Sequence, residues 1–237
     1  MTPHQEPHGM SISPRARLDL PAFDIVAMAA SLGGLEALSQ TLAALPPNFA
    51  APVVVVQHLS ARFPSHLVEI LGRRTTLPVM WARPGHLLRR GVIYIAPPDR
   101  HLLIGPCRSI RLGQGPPIHF VRPSADALFA SVAEAYRERA IAVVLTGSRA
   151  DGASGARAIK RQGGRVLAQD AATSRAFGMP GAAIATGCVD FVLPLATIAP
   201  ALVALTMAPG AAALLRTRRT AMPDAALVSA LRPIGWR

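Results

Sequence analysis

Three side chains in this 237-residue chain are of the types that hydrolytic chemistry needs: Ser31, His58 and Asp151. Each follows an apolar run. Phe23 to Ala29 leads into Ala30-Ser31-Leu32-Gly33-Gly34, and Ala51 to Gln57, with its consecutive valines, leads into His58. Ala140 to Leu145 leads into Thr146-Gly147-Ser148-Arg149-Ala150-Asp151-Gly152. A serine hydroxyl is a poor nucleophile until a base removes its proton in the transition state, and neutral imidazole does this near pH 7. The imidazole in turn needs a carboxylate on its far nitrogen to fix the tautomer and stabilise the imidazolium. Ser31 stands where a strand turns sharply into a helix among small neighbours, a place similar to a nucleophile elbow. Backbone N–H groups at the start of that helix point at the same spot and could hold an oxyanion. Each residue also has a plainer reading: Ser31 as a helix N-cap, His58 as a satisfied histidine at a strand edge, Asp151 as the N-cap of the next helix. The chain order Ser, His, Asp differs from the orders of α/β-hydrolases, chymotrypsin and subtilisin. A triad is defined by geometry, so the order excludes nothing.

The elements that must position these groups can be read from periodicity. The three apolar runs are buried strands. Helices are expected from Gly33-Gly34 to about Ala44, from about Pro64 to Arg73, from Ser124 as N-cap to about Arg139, and from Gly152 to Arg161. A strand over Gly164 to Ala168, a short helix over Pro180 to Thr186, a strand over Cys188 to Val192 and a helix over Ala196 to Thr206 complete the pattern. Residues 78–120 change character: short β-like pieces at Val92 to Ile95, His101 to Ile104 and Ser109 to Leu112 are punctuated by Gly and Pro and suggest an inserted hairpin region. Continuous apolar strands separated by helices mean a parallel sheet covered on both faces. The expected fold is α/β: a doubly wound, mostly parallel Rossmann-like sheet with helices on both faces and a small β-hairpin insertion. In such a fold ligands bind beyond the carboxyl ends of the strands, where Ser31, His58 and Asp151 lie.

Composition removes several classes of protein. Hydrophobic residues are 51% and charged residues 16%, enough apolar material for a core. Two cysteines, Cys107 and Cys188, cannot build a disulfide framework or a four-ligand zinc site. The histidines show no metal-ligand spacing, and no cofactor or metal is expected. No Gly-x-Gly-x-x-Gly follows the first strand, which excludes a dinucleotide fingerprint. The first 22 residues, with Pro3, Pro7, Pro14 and Pro21 and no apolar run, do not resemble a signal peptide and read as a mobile arm. Phe191 to Leu215 carries no charge, but Pro194, Pro200, Pro209 and Gly210 break it, so a buried strand and an Ala-rich helix explain it better than a membrane span. A soluble, cytoplasmic protein without membrane insertion is expected. The formal net charge is +12, which favours acidic partners. Aromatic residues are only 5%, too few for a base-stacking platform, so no nucleic acid is expected.

Several segments occur together in a telling order. They are Ser31-Leu32-Gly33-Gly34, Gln57-His58, Tyr94-Ile95-Ala96-Pro97-Pro98-Asp99-Arg100-His101, Arg122-Pro123-Ser124, Leu145-Thr146-Gly147 with Asp151-Gly152, and Phe177-Gly178-Met179-Pro180. Over about residues 23–207 this order resembles the catalytic domain of CheB-type chemotaxis receptor methylesterases. The resemblance implies a serine hydrolase that releases methanol from glutamate methyl esters on the acidic cytoplasmic helices of chemoreceptors; many members also deamidate receptor glutamines. It implies Ser31 as nucleophile, His58 as general base and Asp151 as orienting carboxylate. Leu32, Gly33, Gly147 and Ser148 become candidates for the oxyanion site or its rim, and Arg100, Arg122 and Met179 for the substrate side. The implied partners are the receptor and a separate receiver or signalling protein.

Two departures stand out. The family usually has Gly-Ala-Ser-Thr-Gly-Gly where this chain has Ala29-Ala30-Ser31-Leu32-Gly33-Gly34, so a hydroxyl beside the nucleophile is replaced by an apolar side chain. It tends to have Met-Gly after Thr-Gly, where this chain has Ser148-Arg149, and a glycine there suits a conformation that Arg149 adopts less readily. These departures motivate an alternative: a degenerate, non-catalytic module of the same fold that docks on a receptor or signalling protein. The expected layout is an arm over residues 1–22, the methylesterase domain over 23–207 and a basic tail over 208–237. Members of the main chemotaxis pathway carry an N-terminal receiver domain. The 22 residues before the first strand are expected to leave no room for one, which would place control in a partner, in expression, or nowhere at all.

Overall fold

A computed structural model describes residues 23–59 and 63–207. The expected arm over residues 1–22 and tail over 208–237 lie outside the described residues. Seven strands form one sheet in the order β3-β4-β2-β1-β7-β8-β9: β1 (Ile25–Ala30), β2 (Val53–Gln57), β3 (Val79–Trp81), β4 (Ile93–Ile95), β7 (Ala140–Val144), β8 (Arg165–Gln169) and β9 (Phe191–Leu193). Every neighbouring pair in it is parallel, with β1 flanked by β2 (Ala30 opposite Gln57) and β7 (Ala29 opposite Val144). The chain grows from β1 toward β2 on one side and later returns to its other side at β7. The crevice between β1 and β7 is therefore the topological switch point, where doubly wound sheets bind ligands.

Both faces of the sheet are covered, and the central strands are apolar on each. Val26, Met28 and Ala30 of β1 pack with α1 (Gly34–Ala43), α2 (Leu67–Gly72) and α6 (Leu195–Met207), through Leu38, Leu42, Leu71 and Leu202 among others. Ile25, Ala27 and Ala29 face the other way, toward α3 (Ala125–Tyr136), α4 (Ala153–Arg161) and α5 (Gly178–Ala185). The strict alternation of β1 between two cores follows from the two-residue side-chain period of a strand. It also accounts for the continuous apolar reading of the sequence.

The region 78–120 is only in part the expected insertion. The antiparallel hairpin is β5 (His101–Ile104) with β6 (Ile110–Gly113), whereas β3 and β4 extend the main sheet beside β2. Each of these two strands is three residues long, too short for its period to be distinguished from a loop in the sequence. The uncharged stretch from Phe191 is divided into β9 and α6, and among the described residues no helix is long and apolar enough to cross a membrane.

Candidate active site

The turn after β1 is built around a left-handed residue. Gly33, at φ 80°, precedes α1 with no side-chain cap, so Ser31 is not the N-cap of that helix. Ser31 is instead pinned by its backbone. Its N–H donates to the Thr146 carbonyl (3.0 Å), and its own carbonyl accepts from Gly34 N–H (2.9 Å) and Gln57 Nε2 (2.8 Å). The neighbouring strands β7 and β2 thus fix the serine at the switch point. Among the described residues, no protein group accepts the N–H of Leu32 or of Gly33. Two donors are left at the start of α1 beside the hydroxyl, the arrangement an oxyanion requires.

His58 directly follows β2, with its N–H on the Ala30 carbonyl at 3.1 Å, and its Nε2 lies 2.8 Å from Asp151 Oδ2. Asp151 is 1% exposed and does not cap its own helix, whose N-cap is Gly152. Its carboxylate reaches across to the start of α3. Oδ2 accepts Ala125 N–H (2.6 Å), while Oδ1 accepts the Ser124 hydroxyl (2.8 Å) and Asp126 N–H (3.1 Å). Burial pushes the Asp151 carboxyl up, but the His58 ring, the two N–H groups and the Ser124 hydroxyl outweigh it and hold it below the usual aspartate range. Asp151 is therefore an anion at neutral pH, and an ionised Asp151 keeps the proton on His58 Nε2 and leaves Nδ1 as the basic nitrogen. The plain readings of Ser31 and Asp151 as caps of their own helices are removed by these contacts.

Asp126 returns the favour. Its Oδ1 accepts Gly152 N–H (3.0 Å) and Gly155 N–H (2.7 Å), the first turn of α4. Ser124 is the N-cap of α3 and accepts Ala127 N–H (3.4 Å), and the start of each helix also donates to a carboxylate from the segment that opens the other. Burial, with the adjacent Asp151 charge, raises the Asp126 carboxyl despite the Gly155 and Gly152 N–H groups and His119, whose Nε2 lies 3.2 Å from Oδ2.

Ser31 and His58 line one cleft of about 720 Å³, together with Leu32, Gly33, Thr146 and Arg175. A smaller cavity of about 230 Å³, also lined by His58, is walled by Asp99, Phe120 and Arg122. Three of the expected rim residues have definite places in the fold. The Gly147 N–H donates to the Ala176 carbonyl at 2.9 Å, so it is not free to hold an oxyanion. Gly147 matters for space instead: a Cβ there would lie 2.3 Å from Met179 Sδ and 2.9 Å from Ser31 Cβ. Met179 is fully buried, with its side chain packed against that turn. The Arg122 guanidinium is engaged by Asp99 Oδ1 (2.6 and 2.8 Å) and by the Gln114 and Gly115 carbonyls (3.2 and 2.8 Å), which makes it a clasp of the hairpin region. Ser148 is exposed and Arg100 half-buried, and neither lines the cleft or the neighbouring cavity.

The two departures take definite form. Arg149 has φ 66°, the left-handed backbone that favours glycine, and its guanidinium lies 5.8 Å from the centre of the Phe120 ring. Leu32 is 51% exposed, and its carbonyl accepts the Thr146 hydroxyl at 2.9 Å. Sequence reading missed Gln169, which is fully buried at the end of β8 and joins Thr146 N–H (2.8 Å) to the Thr173 carbonyl (2.8 Å). A glutamine closing an apolar strand at the carboxyl edge was a signal of the same kind as Gln57. Among the described residues no three His, Cys, Asp or Glu side chains gather as metal ligands.

Residues 26–202 match the family model described as CheB methylesterase. The chain belongs to that family. Its CheB methylesterase domain is 45% identical over 199 residues to a protein-glutamate methylesterase/protein-glutamine glutaminase of Moorella thermoacetica, covering 80% of this chain and 46% of that protein. It is 42% identical over 182 residues to the protein-glutamate methylesterase FrzG of Myxococcus xanthus, covering 77% of this chain and 54% of that one. This chain thus spans about half the length of the curated relatives it matches. Among solved structures, the Thermotoga maritima CheB methylesterase catalytic domain superposes with a TM-score of 0.75 at 38% identity, covering 78% of this chain and 99% of that one. The α/β sheet described above is accordingly the CheB catalytic-domain fold.

Proposed function

We propose that this chain hydrolyses glutamate γ-methyl esters on the acidic cytoplasmic helices of chemoreceptors, with Ser31, His58 and Asp151 as its triad. The observation that carries the reading is the 2.8 Å contact of His58 with a buried carboxylate, next to a serine on a backbone-pinned turn. In the first half-reaction Ser31 Oγ attacks the ester carbonyl while His58 Nδ1 takes its proton. The negative oxygen of the tetrahedral intermediate is held by the Leu32 and Gly33 N–H groups, each such donor being worth roughly 10²–10³ in rate. Collapse expels methoxide, which leaves as methanol with the proton from His58. Water, activated by the same imidazole, then cleaves the acyl-serine to free glutamate. A glutamine side chain can follow the same route with ammonia as leaving group. Leu32 in place of threonine does not disturb this scheme, which uses only its N–H.

The test is methanol release from methylated receptor cytoplasmic fragments. Wild type is expected to release it, and Ser31→Ala to reduce the rate by at least about 10⁴-fold, as loss of a triad member does. A folded wild type that releases no methanol and does not label with a fluorophosphonate would favour the docking-module reading.

A further inference from the structure

We propose that Arg175 forms a carboxylate subsite beside the reacting ester, so that the enzyme prefers a methylated glutamate with a free acidic side chain about one helical turn away. This rests on the methylesterase reading above. Arg175 lines the cleft that holds Ser31 and His58. It is exposed and has no hydrogen-bond or ion-pair partner among the described residues. The other arginines at the cleft and its neighbouring cavity are neutralised: Arg74 Nη1 lies 3.7 Å from Glu36, and Arg122 is clasped by Asp99. Arg175 thus supplies the uncompensated charge on the nucleophile's side.

Its stem is also held. A Cβ at Gly33 would lie 2.7 Å from Arg175 Cβ and 3.1 Å from its Cδ, so the side chain lies directly over the turn whose N–H groups face the acyl oxygen. The backbone on either side is tied down, with Ala176 N–H on Thr146 Oγ1 (2.9 Å) and the Thr173 carbonyl on Gln169 Nε2 (2.8 Å). A guanidinium on a fixed stem loses little freedom on binding, and its planar fork takes a carboxylate through two parallel hydrogen bonds. A glutamate three or four residues from the ester on a substrate helix lies on the same face, about 5–6 Å away between Cβ atoms, within reach of such a group.

The experiment uses twin helical peptides with one glutamate γ-methyl ester, flanked one turn away by glutamates in one and glutamines in the other. Methanol release gives the ratio of their kcat/KM values, and anisotropy on the Ser31→Ala protein gives the ratio of their affinities. Wild type is expected to favour the glutamate twin by roughly fivefold at low salt, shrinking as salt rises. Arg175→Gln should remove most of this preference, leaving the small remainder that the net positive charge of the chain gives any acidic peptide, and Arg175→Lys should keep more of it. An undiminished ratio in Arg175→Gln, or no preference in wild type, overturns the subsite. So does an equal fall on both twins with the ratio intact, which would place Arg175 at the oxyanion. Hydrolysis of neither twin would mean failure of the methylesterase reading alone. The binding ratio and its response to Arg175→Gln would still decide the subsite.

Discussion

A methyl group at position 147 has no room: it would meet Met179 Sδ at 2.3 Å and Ser31 Cβ at 2.9 Å. Gly147→Ala is therefore expected to displace Ser31 by a fraction of an ångström. Misplacement on that scale lowers kcat by up to about 100-fold, and overpacking costs about 1–3 kcal/mol. Adding Met179→Ala removes the sulfur clash but empties a buried site and leaves the clash with Ser31, so neither stability nor turnover should return to the wild-type value in urea unfolding and steady-state rates on one ester. Arg149 makes a different case. A left-handed backbone costs an L-residue about 1–2 kcal/mol, against which the guanidinium beside the Phe120 ring contributes roughly 0.5–1 kcal/mol. Arg149→Gly relieves the backbone but loses the ring contact and loosens the unfolded chain, so its effect should stay within about 1 kcal/mol. Arg149→Val, β-branched at φ 66°, should cost clearly more in thermal unfolding.

The elements that matter most to the site are α3 and α4, because the start of each donates to a carboxylate from the segment that opens the other. Asp151, just ahead of α4, takes the N–H groups of Ala125 and Asp126; Asp126, in the first turn of α3, takes those of Gly152 and Gly155. The exchange fixes the loop that carries Asp151 and hence the ring of His58. Asp126→Ala leaves two buried N–H groups without an acceptor and should cost about 2–5 kcal/mol. Asp126→Asn keeps an oxygen in place and should cost less than half of that. Chemical denaturation of the pair reads the difference, and comparable losses would show that the acceptor is not what holds the helices. The third helix of this group, α5, carries Met179 inward, where it packs against the turn at Gly147.

For the whole molecule, pH and salt are the informative variables. The Asp151 carboxyl lies below its unfolded value, so its contribution to stability is complete above about pH 4 and is lost as pH falls through the lower folded value. Asp126 is raised, so its contribution is present at low pH and is lost as pH rises through the folded value. Acidification should therefore protonate Asp126 first, relieving repulsion between the carboxyls, and Asp151 last. The decline of stability below about pH 4 should flatten in Asp151→Asn, as followed by urea midpoints across that range. Charge acts at longer range. With a net +12 the chain steers acidic partners toward it, so added salt should raise KM for an acidic receptor fragment and leave kcat nearly unchanged. A KM indifferent to salt would remove electrostatic steering from the account.

The sequence by itself determined the fold class and the place of Ser31, His58 and Asp151 at the carboxyl edge of the sheet. Both depend on local regularities: buried parallel strands are continuous apolar runs, and groups just after such runs lie at the carboxyl edge of the sheet. Ser31, His58 and Asp151 each follow such a run, and the glycine-like backbone suspected at Arg149 is likewise a property of its own turn. What the tertiary structure decided depends on the lateral order of strands and on partners distant in the chain. The placement of β3 and β4 in the main sheet required their neighbours, because three residues carry no period. The loss of the Gly147 N–H to Ala176, the inward turn of Met179 and the clasping of Arg122 by Asp99 are contacts across 23 to 32 positions of sequence. The exchange of carboxylates between the starts of α3 and α4 is of the same kind. A carboxylate before a helix is expected to cap that helix, and only the packing of α3 against α4 brings a better set of donors within reach.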